Sequence, residues 1–338
     1  MLVVGYGVRG QQWHTALARS RRVEVLAAVD PDEDARRRAE GAGLAAYPTL
    51  DDALPTSLSG GVALVCSPPA EHPDHAVACL ESGWGVMVET PLALSLAGAR
   101  RVIRAARLNS LPVAVGQNFR FRPGERTVRR LLERKVVGTP VASSVLCVRP
   151  PTTARPHVRA DPHGTLWDIC LHHLDCLRSR FDDLPTQVRA GTGPADEWRV
   201  ELEWEGGFVA AYRHHERSPV FHRHELFEGT SAALMVTGER VTVISPSHRP
   251  RRARPPRGPT PEDTIIEPLL DPEHPSREAL GADANLPTIA IVEAAVRSAG
   301  SRGAPVSLKE VFDEAGLTRE RCGPGHRPRR SGMLTGWW

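Results

Sequence analysis

The 338-residue chain contains almost no lysine, although it is rich in basic residues. Only Lys135 and Lys309 occur, so the rest of its 43 lysine and arginine residues are arginines. The formal net charge is only +3, and the basic residues are spread along the chain, which argues against a dedicated nucleic-acid surface. We therefore expect a small-molecule partner and no nucleic acid.

Paired cysteine motifs and long apolar runs are also absent. The six cysteines form no CxxC pair and no regular spacing, so neither a zinc knuckle nor a disulfide framework is indicated. A reducing compartment fits this pattern best. No run approaches the roughly 18 apolar residues of a membrane span, and no basic segment leads into an apolar stretch at the start of the chain. These absences predict a cytoplasmic protein that does not enter a membrane.

Short apolar runs alternate with helical patterns up to about Gln117. The runs LVV, VEVLAAV, VALVC, GVMV and PVAV predict buried strands, and the stretches between them have helical spacing. This alternation is typical of an α/β fold with a doubly wound parallel sheet of the Rossmann type. We predict that this dinucleotide-binding domain covers residues 1–119.

The second half of the chain has the pattern of an antiparallel sheet. WRVELEW and FVAAYRHH are joined by a glycine turn and predict a hairpin, and LMVTGERVTVIS predicts another around Gly238. Two helical patterns accompany them, at Leu166 to Phe181 and at Leu286 to Gly300. A C-terminal α+β domain with a largely antiparallel sheet, serving substrate binding and oligomerisation, is therefore expected over residues 120–317.

Two segments stand apart from this order of elements. The arginine- and proline-rich stretch Ser247 to Thr264 predicts a mobile loop between strands, and residues 318–338 predict a disordered basic tail. The first strand is unusually short, which leads us to expect that the natural chain starts upstream of Met1.

The segment GYGVRG, Gly5 to Gly10, follows the first strand and opens a helix, and Asp30 ends the second strand. Glycines at this spacing allow a tight turn, a close approach of pyrophosphate and close helix packing, which is the dinucleotide fingerprint; the alternative is an ordinary glycine turn. Asp30 would accept hydrogen bonds from the adenosine ribose and repel a 2′-phosphate. NAD(H) is therefore favoured over NADP(H), although Arg36 to Arg38 lie nearby.

CSPPAEH follows a later strand and lies at the carboxyl edge of the predicted sheet, where open α/β folds bind ligands. His72 would either line the cofactor site or cap the following helix, and both alternatives stay open. The predicted cofactor-binding residues are Gly5, Tyr6, Gly7, Val8, Arg9, Gly10, Asp30, Ser67, Pro68, His72, Glu89 and Asn118.

The helix LWDICLHHLDCLRSRF carries the acid and base candidates. Asp168, His172 and Asp175 are spaced i, i+4, i+7 and so share one face opposite an apolar stripe. A histidine one turn from a carboxylate has a fixed orientation and a pKa adjustable around 6.5, which suits general acid/base catalysis. The alternative is an exposed face of salt bridges. A metal site would need a third ligand at a defined spacing, which is not evident, so we assign no metal.

These motifs, together with VETPLALS, VGQNFRFRP, VVGTPVAS and NLPTIAIVEAAVRSA, resemble the Gfo/Idh/MocA family of NAD(P)-dependent oxidoreductases over about Met1 to Leu317. The resemblance implies that the fingerprint glycines hold pyrophosphate, that His172 transfers a proton, and that Asp168 orients it or binds substrate. It also places Asn118 and Arg120 near nicotinamide or substrate, and implies a homodimer or homotetramer built through the second sheet. Cys170 stands where the family has glycine.

The corner VETPLALS departs from the family pattern, because Thr90 replaces the lysine of the family's Glu-Lys-Pro motif. That lysine stabilises negative charge on the substrate oxygen, and a neutral hydroxyl cannot replace its charge-assisted hydrogen bond. The catalytic candidates are His172, Asp168 and Thr90, and the substrate candidates are Arg120, Trp167 and His173. Weaker candidates for the lining of the cleft are Arg155, His157, His163, Tyr212 and His214.

Three functions remain open at this point. In the first, the protein is a reductase of a carbonyl, imine or conjugated double bond in a small sugar-like or secondary-metabolite substrate, with His172 as proton donor. In the second, the cofactor scaffold performs non-redox elimination or hydrolysis through His172 and Asp168. In the third, it binds a nucleotide or partner without catalysis. A retained acid/base face favours the first.

Overall fold

The computed structural model describes residues 1–19, 23–54, 61–151, 158, 160–194, 197–256, 265, 271 and 280–317. Its first half forms a six-stranded parallel sheet in the order β3-β2-β1-β4-β5-β6. The order reverses between β1 and β4, which creates a ligand-binding crevice at the carboxyl ends of these strands. The strands are β1 (Leu2–Val4), β2 (Ala27–Val29), β3 (Ala45–Tyr47), β4 (Val62–Val65), β5 (Gly85–Val88) and β6 (Val113–Val115).

Helices on both faces bury this sheet and confirm the predicted doubly wound architecture. Side-chain oxygens of Asp32, Thr49 and Ser95 cap three of the helices by accepting from backbone amides in the first turn. The helices are α1 (Val8–Leu17), α2 (Glu33–Gly41), α3 (Leu50–Ala53), α4 (His72–Glu81) and α5 (Leu96–Leu108).

Two details of this half differ from the sequence prediction. The run VEVLAAV predicts a seven-residue strand, but only its last three residues form β2. Strand β3 was not predicted, because Ala45 to Tyr47 is alanine-rich and partly exposed at the sheet edge and so lacks an apolar signal.

A nine-stranded sheet forms the second half, in the order β14-β13-β12-β11-β7-β10-β9-β8-β15. Its described pairings are antiparallel except that of β7 with β10, which confirms the predicted largely antiparallel sheet. The strands are β7 (Pro140–Val148), β8 (Gln187–Gly193), β9 (Glu197–Glu203), β10 (Val209–His215), β11 (His222–Gly229), β12 (Ala233–Thr237), β13 (Arg240–Ser245), β14 (His248–Arg252) and β15 (Val306–Ser307).

The predicted mobile loop Ser247 to Thr264 is wrong for its first part. Residues His248–Arg252 form β14, which pairs with β13 at the edge of the sheet and is fully exposed. An edge strand tolerates charge and Pro250 because one of its sides faces solvent, so composition alone did not reveal it. Residues 257–264 and the predicted tail 318–338 lie outside the described residues.

Helices of the second half connect it to the first. They are α6 (Pro123–Glu133), a π-helix (Leu166–Cys170) that continues into α7 (Leu171–Arg178), α8 (Ala282–Gly300) and α9 (Leu308–Glu314). Gly281 bridges to Ala114, and the Leu96 amide donates to Oε2 of Glu293 at 2.9 Å. Helix α8 therefore contacts the amino-terminal half as well as β8. No described helix has the length and apolar character needed to cross a bilayer.

Candidate active site

The glycine turn after β1 leaves open space beside the backbone of Gly7. Gly5 has a φ of +90°, and a Cβ there would lie 2.6 Å from the Ser67 amide nitrogen, whereas a Cβ on Gly10 would lie 2.2 Å from the Gly5 carbonyl oxygen. A Cβ on Gly7 would meet no atom within 4 Å, and no side chain caps α1. The uncapped amides of the first turn of α1 thus form a site that fits the pyrophosphate of a dinucleotide.

Asp30 lies beside this turn at the end of β2. Its Oδ2 accepts from the Tyr6 amide at 2.7 Å and its Oδ1 from the Asp32 amide at 2.9 Å. Each carboxylate oxygen retains a lone pair, so the group can also accept from ribose hydroxyls. A guanidinium nitrogen of Arg36 instead donates to the carbonyl oxygens of Asp30 and Pro31. Arg37 and Arg38 form ion pairs with acidic residues 32–34.

His72 links two loops at the carboxyl edge of the sheet. It is 1% exposed, and its Nδ1 and Nε2 each lie 2.7 Å from a carbonyl oxygen, of Pro91 and of Ser67 respectively. Ser67 Oγ bonds Nδ1 of His75 at 2.8 Å, and Pro68 is exposed. The expectation that His72 lines the cofactor site or caps the helix is therefore corrected: the buried ring connects the loop after β4 to the corner after β5.

Glu89 fastens the first helix to the corner after β5. It is 7% exposed, and its Oε1 accepts from Arg9 Nε at 2.6 Å and from the indole nitrogen of Trp13. Its Oε2 accepts from the Thr90 amide at 3.0 Å. The carboxylate thus holds the corner against α1, and its assignment as a cofactor contact stays a prediction. The Thr90–Pro91 peptide bond in this corner is cis. Val8, at the start of α1 beside the glycine turn, is exposed.

Thr90 and His172 meet across the cleft between the two halves. The Thr90 Oγ1 lies 3.3 Å from His172 Nε2, and the imidazole stacks on the Phe119 ring with centroids 4.2 Å apart and planes inclined by 17°. Nδ1 of His172 has no hydrogen-bond partner in the described part of the chain. Phe119 was not predicted, although it directly follows the candidate Asn118, which is partly buried.

Burial lowers the pKa of His172 to about 4. The positive charge of Arg122 also lowers this pKa, whereas the negative charges of Glu89, Asp168 and Asp175 raise it and only partly offset burial. The imidazole is therefore neutral near pH 7, since its pKa lies well below that pH. A neutral imidazole accepts a proton, so the ring fits a proton acceptor near neutral pH rather than the predicted donor.

Asp168 does not contact His172 in the way the helical spacing predicted. Its Oδ2 accepts from a guanidinium nitrogen of Arg149 at 3.1 Å, and Arg149 Nε donates to Glu216 at 2.9 Å. Thr90 and Phe119, rather than a direct bond from Asp168, therefore position the imidazole. The Asp168 carboxylate acts on His172 through its charge.

The predicted polar face of the helix is wrong at Asp175, which is fully buried. Its oxygens accept from Arg120 Nε at 2.8 Å, from Arg178 at 3.0 Å and from the Thr288 hydroxyl at 2.6 Å. These cations hold the pKa of Asp175 far below its usual range despite burial. Arg120 is only 5% exposed and is committed to this ion pair, so its assignment as a substrate contact is corrected. Every residue of α7 except His172 is buried, so the helix has no broad solvent-facing side.

Several other substrate candidates are core residues. Trp167 is 7% exposed and packs in the main apolar cluster, and His173 is 2% exposed with its Nδ1 bonded to the Tyr212 hydroxyl at 2.8 Å. Tyr212 and His214 are fully buried, which excludes them from the lining of an open cleft. His163 is partly exposed, and Arg155 and His157 lie outside the described residues.

Comparison with known proteins relates the amino-terminal part of the chain, which contains the glycine turn, to a described family. Residues 1–117 match the family GFO_IDH_MocA, described as "Oxidoreductase family, NAD-binding Rossmann fold". Inositol 2-dehydrogenase 3 of Saccharopolyspora erythraea is 32% identical over 187 residues, covering 54% of this chain and 53% of the relative. Rhizopine catabolism protein MocA of Rhizobium meliloti is 27% identical over 194 residues, covering 56% and 59%. The chain thus spans about half the length of the curated relatives it matches.

Solved structures share the complete fold at low identity. An NAD-binding protein from Listeria innocua has a TM-score of 0.77 at 19% identity, covering 90% of this chain and 96% of the other. The inositol dehydrogenase homolog of Azotobacter vinelandii, complexed with NADH and myo-inositol, also has a TM-score of 0.77, at 16% identity with the same coverage. The two-sheet architecture is therefore a known one, and at this identity the likeness concerns the fold alone.

Proposed function

We propose that the chain is a nicotinamide-dependent oxidoreductase, on the premise that its residues 1–117 match the Gfo/Idh/MocA family of oxidoreductases with an NAD-binding Rossmann fold. Its substrate is a small sugar-like molecule that interconverts between a hydroxyl and a carbonyl form. The single observation that carries the proposal is the approach of Thr90 Oγ1 to His172 Nε2, 3.3 Å apart in the cleft. Such a pair can hold a substrate oxygen and take its proton.

The cofactor would bind at the glycine turn. The space beside Gly7 and the uncapped start of α1 fit pyrophosphate, and Asp30 fits the ribose. We favour NAD(H), because the charge of Asp30 opposes a 2′-phosphate while Arg36 donates to carbonyl oxygens. When bound, such a cofactor supplies hydride acceptance or donation at its nicotinamide ring.

Thr90 and His172 would move the substrate proton. The Thr90 hydroxyl donates to Nε2 of neutral His172 and at the same time accepts from the substrate hydroxyl, so the proton passes from substrate to Oγ1 and from Oγ1 to Nε2. The nearby charges of Glu89 and Asp168 stabilise the imidazolium that results. Near neutral pH the imidazole is in the neutral state that removal of the substrate proton requires, which is the direction of alcohol oxidation. Carbonyl reduction uses the same path in reverse and needs a protonated His172.

The substrate class rests on the curated relatives. Their names include inositol 2-dehydrogenase, D-apiose dehydrogenase and 1,5-anhydro-D-fructose reductase, which act on polyhydroxylated molecules as named. This chain lacks the lysine at position 90, so its own charge stabilisation of a substrate oxygen is weaker. We accordingly propose a polyhydroxylated substrate whose oxidation is slow compared with an enzyme that retains the lysine.

We also propose a homodimer or homotetramer formed through the open face of the second sheet. Leu226 and Met235 are paired in register on β11 and β12, and their side chains are 41% and 44% exposed. Adjacent exposed apolar side chains on a sheet face favour association. Sedimentation of the protein, compared with a Leu226→Glu variant, tests this directly.

The oxidoreductase proposal is tested by absorbance of reduced nicotinamide. The protein is incubated with NAD⁺ and a panel of polyols and sugars, and in parallel with NADH and the corresponding ketones. We expect formation of NADH with at least one polyol, and its loss in His172→Ala. Binding of NADH without turnover of any panel member would contradict the proposal for this substrate class, and absence of NADH binding would contradict it altogether.

A further inference from the structure

A small cavity of about 30 Å³ lies on the other side of Phe119 from His172. Phe119 and Arg122 of the segment after β6 line it, together with His173 of α7. From the side of the second sheet it is lined by Phe221, Arg223 and Glu239. His172 and the Arg122 guanidinium lie over the same ring, 4.2 Å and 3.5 Å from its centre. Two groups this close to one centroid must occupy opposite faces, so Phe119 is the partition between cleft and cavity.

Arg122 differs from the neighbouring arginines in the pairing of its guanidinium. No described residue accepts a hydrogen bond from its guanidinium or pairs with its charge, whereas the neighbouring Arg120 and Arg180 each bind buried carboxylates. The five donors of a guanidinium are strongly hydrogen-bonding groups, and stacking on an aromatic face leaves their edges available. Arg122 therefore presents a free edge at the cavity.

Two further nitrogen atoms in the cavity wall are unpaired. Nε2 of His173 and Nε of Arg223 have no partner in the described part of the chain, although the two residues are only 2% and 9% exposed. A buried donor without an acceptor is unfavourable, because it loses its hydrogen bonds to water. The Arg122 guanidinium and these two unpaired nitrogens therefore line one cavity, and an acceptor ligand could bind to them there.

The charges in the wall define the ligand. Both oxygens of Glu125 accept from Arg180 and Arg223, and these three form a balanced cluster with Glu225. Arg122 then remains without an ion pair among the described residues, while exposed Glu239, in the same wall, accepts from the Gly124 amide. A cation without an ion pair beside two carboxylates suits a monoanion better than a dianion, because Glu125 and Glu239 would repel the second negative charge more strongly.

We propose that this cavity is a second binding site that takes a small monocarboxylate, held by the edge of Arg122 and by the donors of His173 and Arg223. A carboxylate matches the planar fork of a guanidinium with two parallel hydrogen bonds. The site is separate from the reacting atoms, because the Phe119 ring stands between them. This assignment does not rest on the proposed oxidoreductase activity.

Binding is measured on the full-length protein with sodium acetate as the probe, by saturation-transfer NMR of its methyl group at constant ionic strength in chloride. We expect saturable acetate binding that is weakened about tenfold or more in Arg122→Gln, since a charge-assisted pair is lost. Arg134→Gln is the matched control, because it removes an exposed arginine at the far end of α6. Unchanged binding in Arg122→Gln, or absence of saturation in the natural protein, would overturn the proposal.

A second variant and a second ligand complete the test. If Arg122→Gln does not fold, Arg122→Lys replaces it, and we expect weaker acetate binding there because the bidentate fork is lost; affinity equal to that of the natural protein would contradict the site. Inorganic phosphate is titrated in parallel, and phosphate bound as tightly as acetate would overturn the monocarboxylate assignment.

The imidazole of His172 provides a readout that does not depend on turnover. It faces the charges of Glu89, Asp168 and Asp175, which raise its pKa, and of Arg122, which lowers it. Acetate bound to Arg122 should neutralise the opposing cation, so we expect the His172 titration followed by NMR to move to higher pH. A titration unchanged at saturating acetate would show that acetate binds elsewhere than at Arg122.

Discussion

The hydroxyl oxygen of Thr90 lies 3.3 Å from Nε2 of His172, although 82 residues separate the two in the chain. Each comes from a different half of the protein, and both are neutral near pH 7, because burial lowers the pKa of the imidazole to about 4. A cleft that would otherwise carry a lysine charge thus contains an uncharged hydrogen-bonded pair. Its capacity for proton transfer depends on the hydroxyl, on the imidazole and on the carboxylates around them.

The Thr90 hydroxyl should be required for proton transfer. In Thr90→Val the side chain keeps its shape but cannot relay a proton, and we expect kcat to fall by about ten- to a hundredfold, within the range of acid/base contributions. Thr90→Ser retains the hydroxyl and should retain most of the activity. Steady-state kinetics with NAD⁺ and an active polyol measure both, and equal rates for the valine and serine variants would exclude the relay.

His172 should serve turnover and not cofactor binding. We expect His172→Ala to lower kcat by about a hundredfold to ten-thousandfold while NADH binding, followed by fluorescence, changes little. The partly exposed His215 provides the matched control, because His215→Ala removes an imidazole of the same kind from the end of β10. A His172→Ala variant with normal turnover would remove the residue from the mechanism.

The pH dependence follows from the direction of the His172 shift. Proton abstraction needs the neutral imidazole, and a pKa of about 4 keeps it neutral throughout the neutral range. We therefore expect kcat/KM for alcohol oxidation to be insensitive to pH from about 8 down to about 5 and then to fall, whereas carbonyl reduction speeds up as the pH falls. An inflection near the unperturbed value of about 6.5 would contradict this.

Asp30 should determine the preference between the two dinucleotides. Asp30→Asn keeps the shape of the side chain but removes the charge that opposes a 2′-phosphate. We expect the ratio of NADH to NADPH affinity to decrease by about tenfold, because one close charge repulsion is relieved. Asp32→Asn removes a charge two residues away and should leave that ratio unchanged. Fluorescence titration with each dinucleotide gives the ratios without a known substrate.

The buried Asp175 cluster should contribute strongly to stability. Asp175→Asn leaves Arg120 and Arg178 buried without their counter-charge, and we expect the free energy of unfolding to decrease by about 3 to 5 kcal/mol. The control is Asp283→Asn, which breaks an exposed pair with Arg107 and should cost less than about 1 kcal/mol. Denaturant unfolding of both variants makes the comparison, and similar losses would refute a special role of the buried cluster.

The fold was accessible from sequence because each strand of the first sheet except β3 carries a local apolar signal, and the hairpins of the second carry turns with glycine. The position of Thr90 was also predicted, since a departure from a family motif is visible in one sequence. The wrong assignments depend on contacts that are distant in sequence. The helical spacing placed Asp175 on a polar face and the family resemblance placed Arg120 near substrate, but the two are buried as an ion pair, and Thr288 also donates to Asp175.

Residues that act through contacts distant in sequence could not be found from local patterns. Trp13 is an apolar residue of an amphipathic helix, and nothing nearby indicates that its indole nitrogen reaches Glu89. Phe119 and Arg122 likewise gain their roles only when His172 is brought against the same ring. The π-helix at Leu166–Cys170 also changes the facing of side chains, so an i, i+4 count across it is unreliable.

The carboxylate of Glu89 connects the helix that follows the glycine turn to the Thr90–His172 pair. Glu89 holds Arg9 and Trp13 of α1 through one oxygen and the backbone of Thr90 through the other. A displacement of α1 on binding of a dinucleotide would thus be transmitted to the hydroxyl beside His172. The arrival of the two ligands should accordingly be sequential, with the dinucleotide setting the geometry that the second ligand meets.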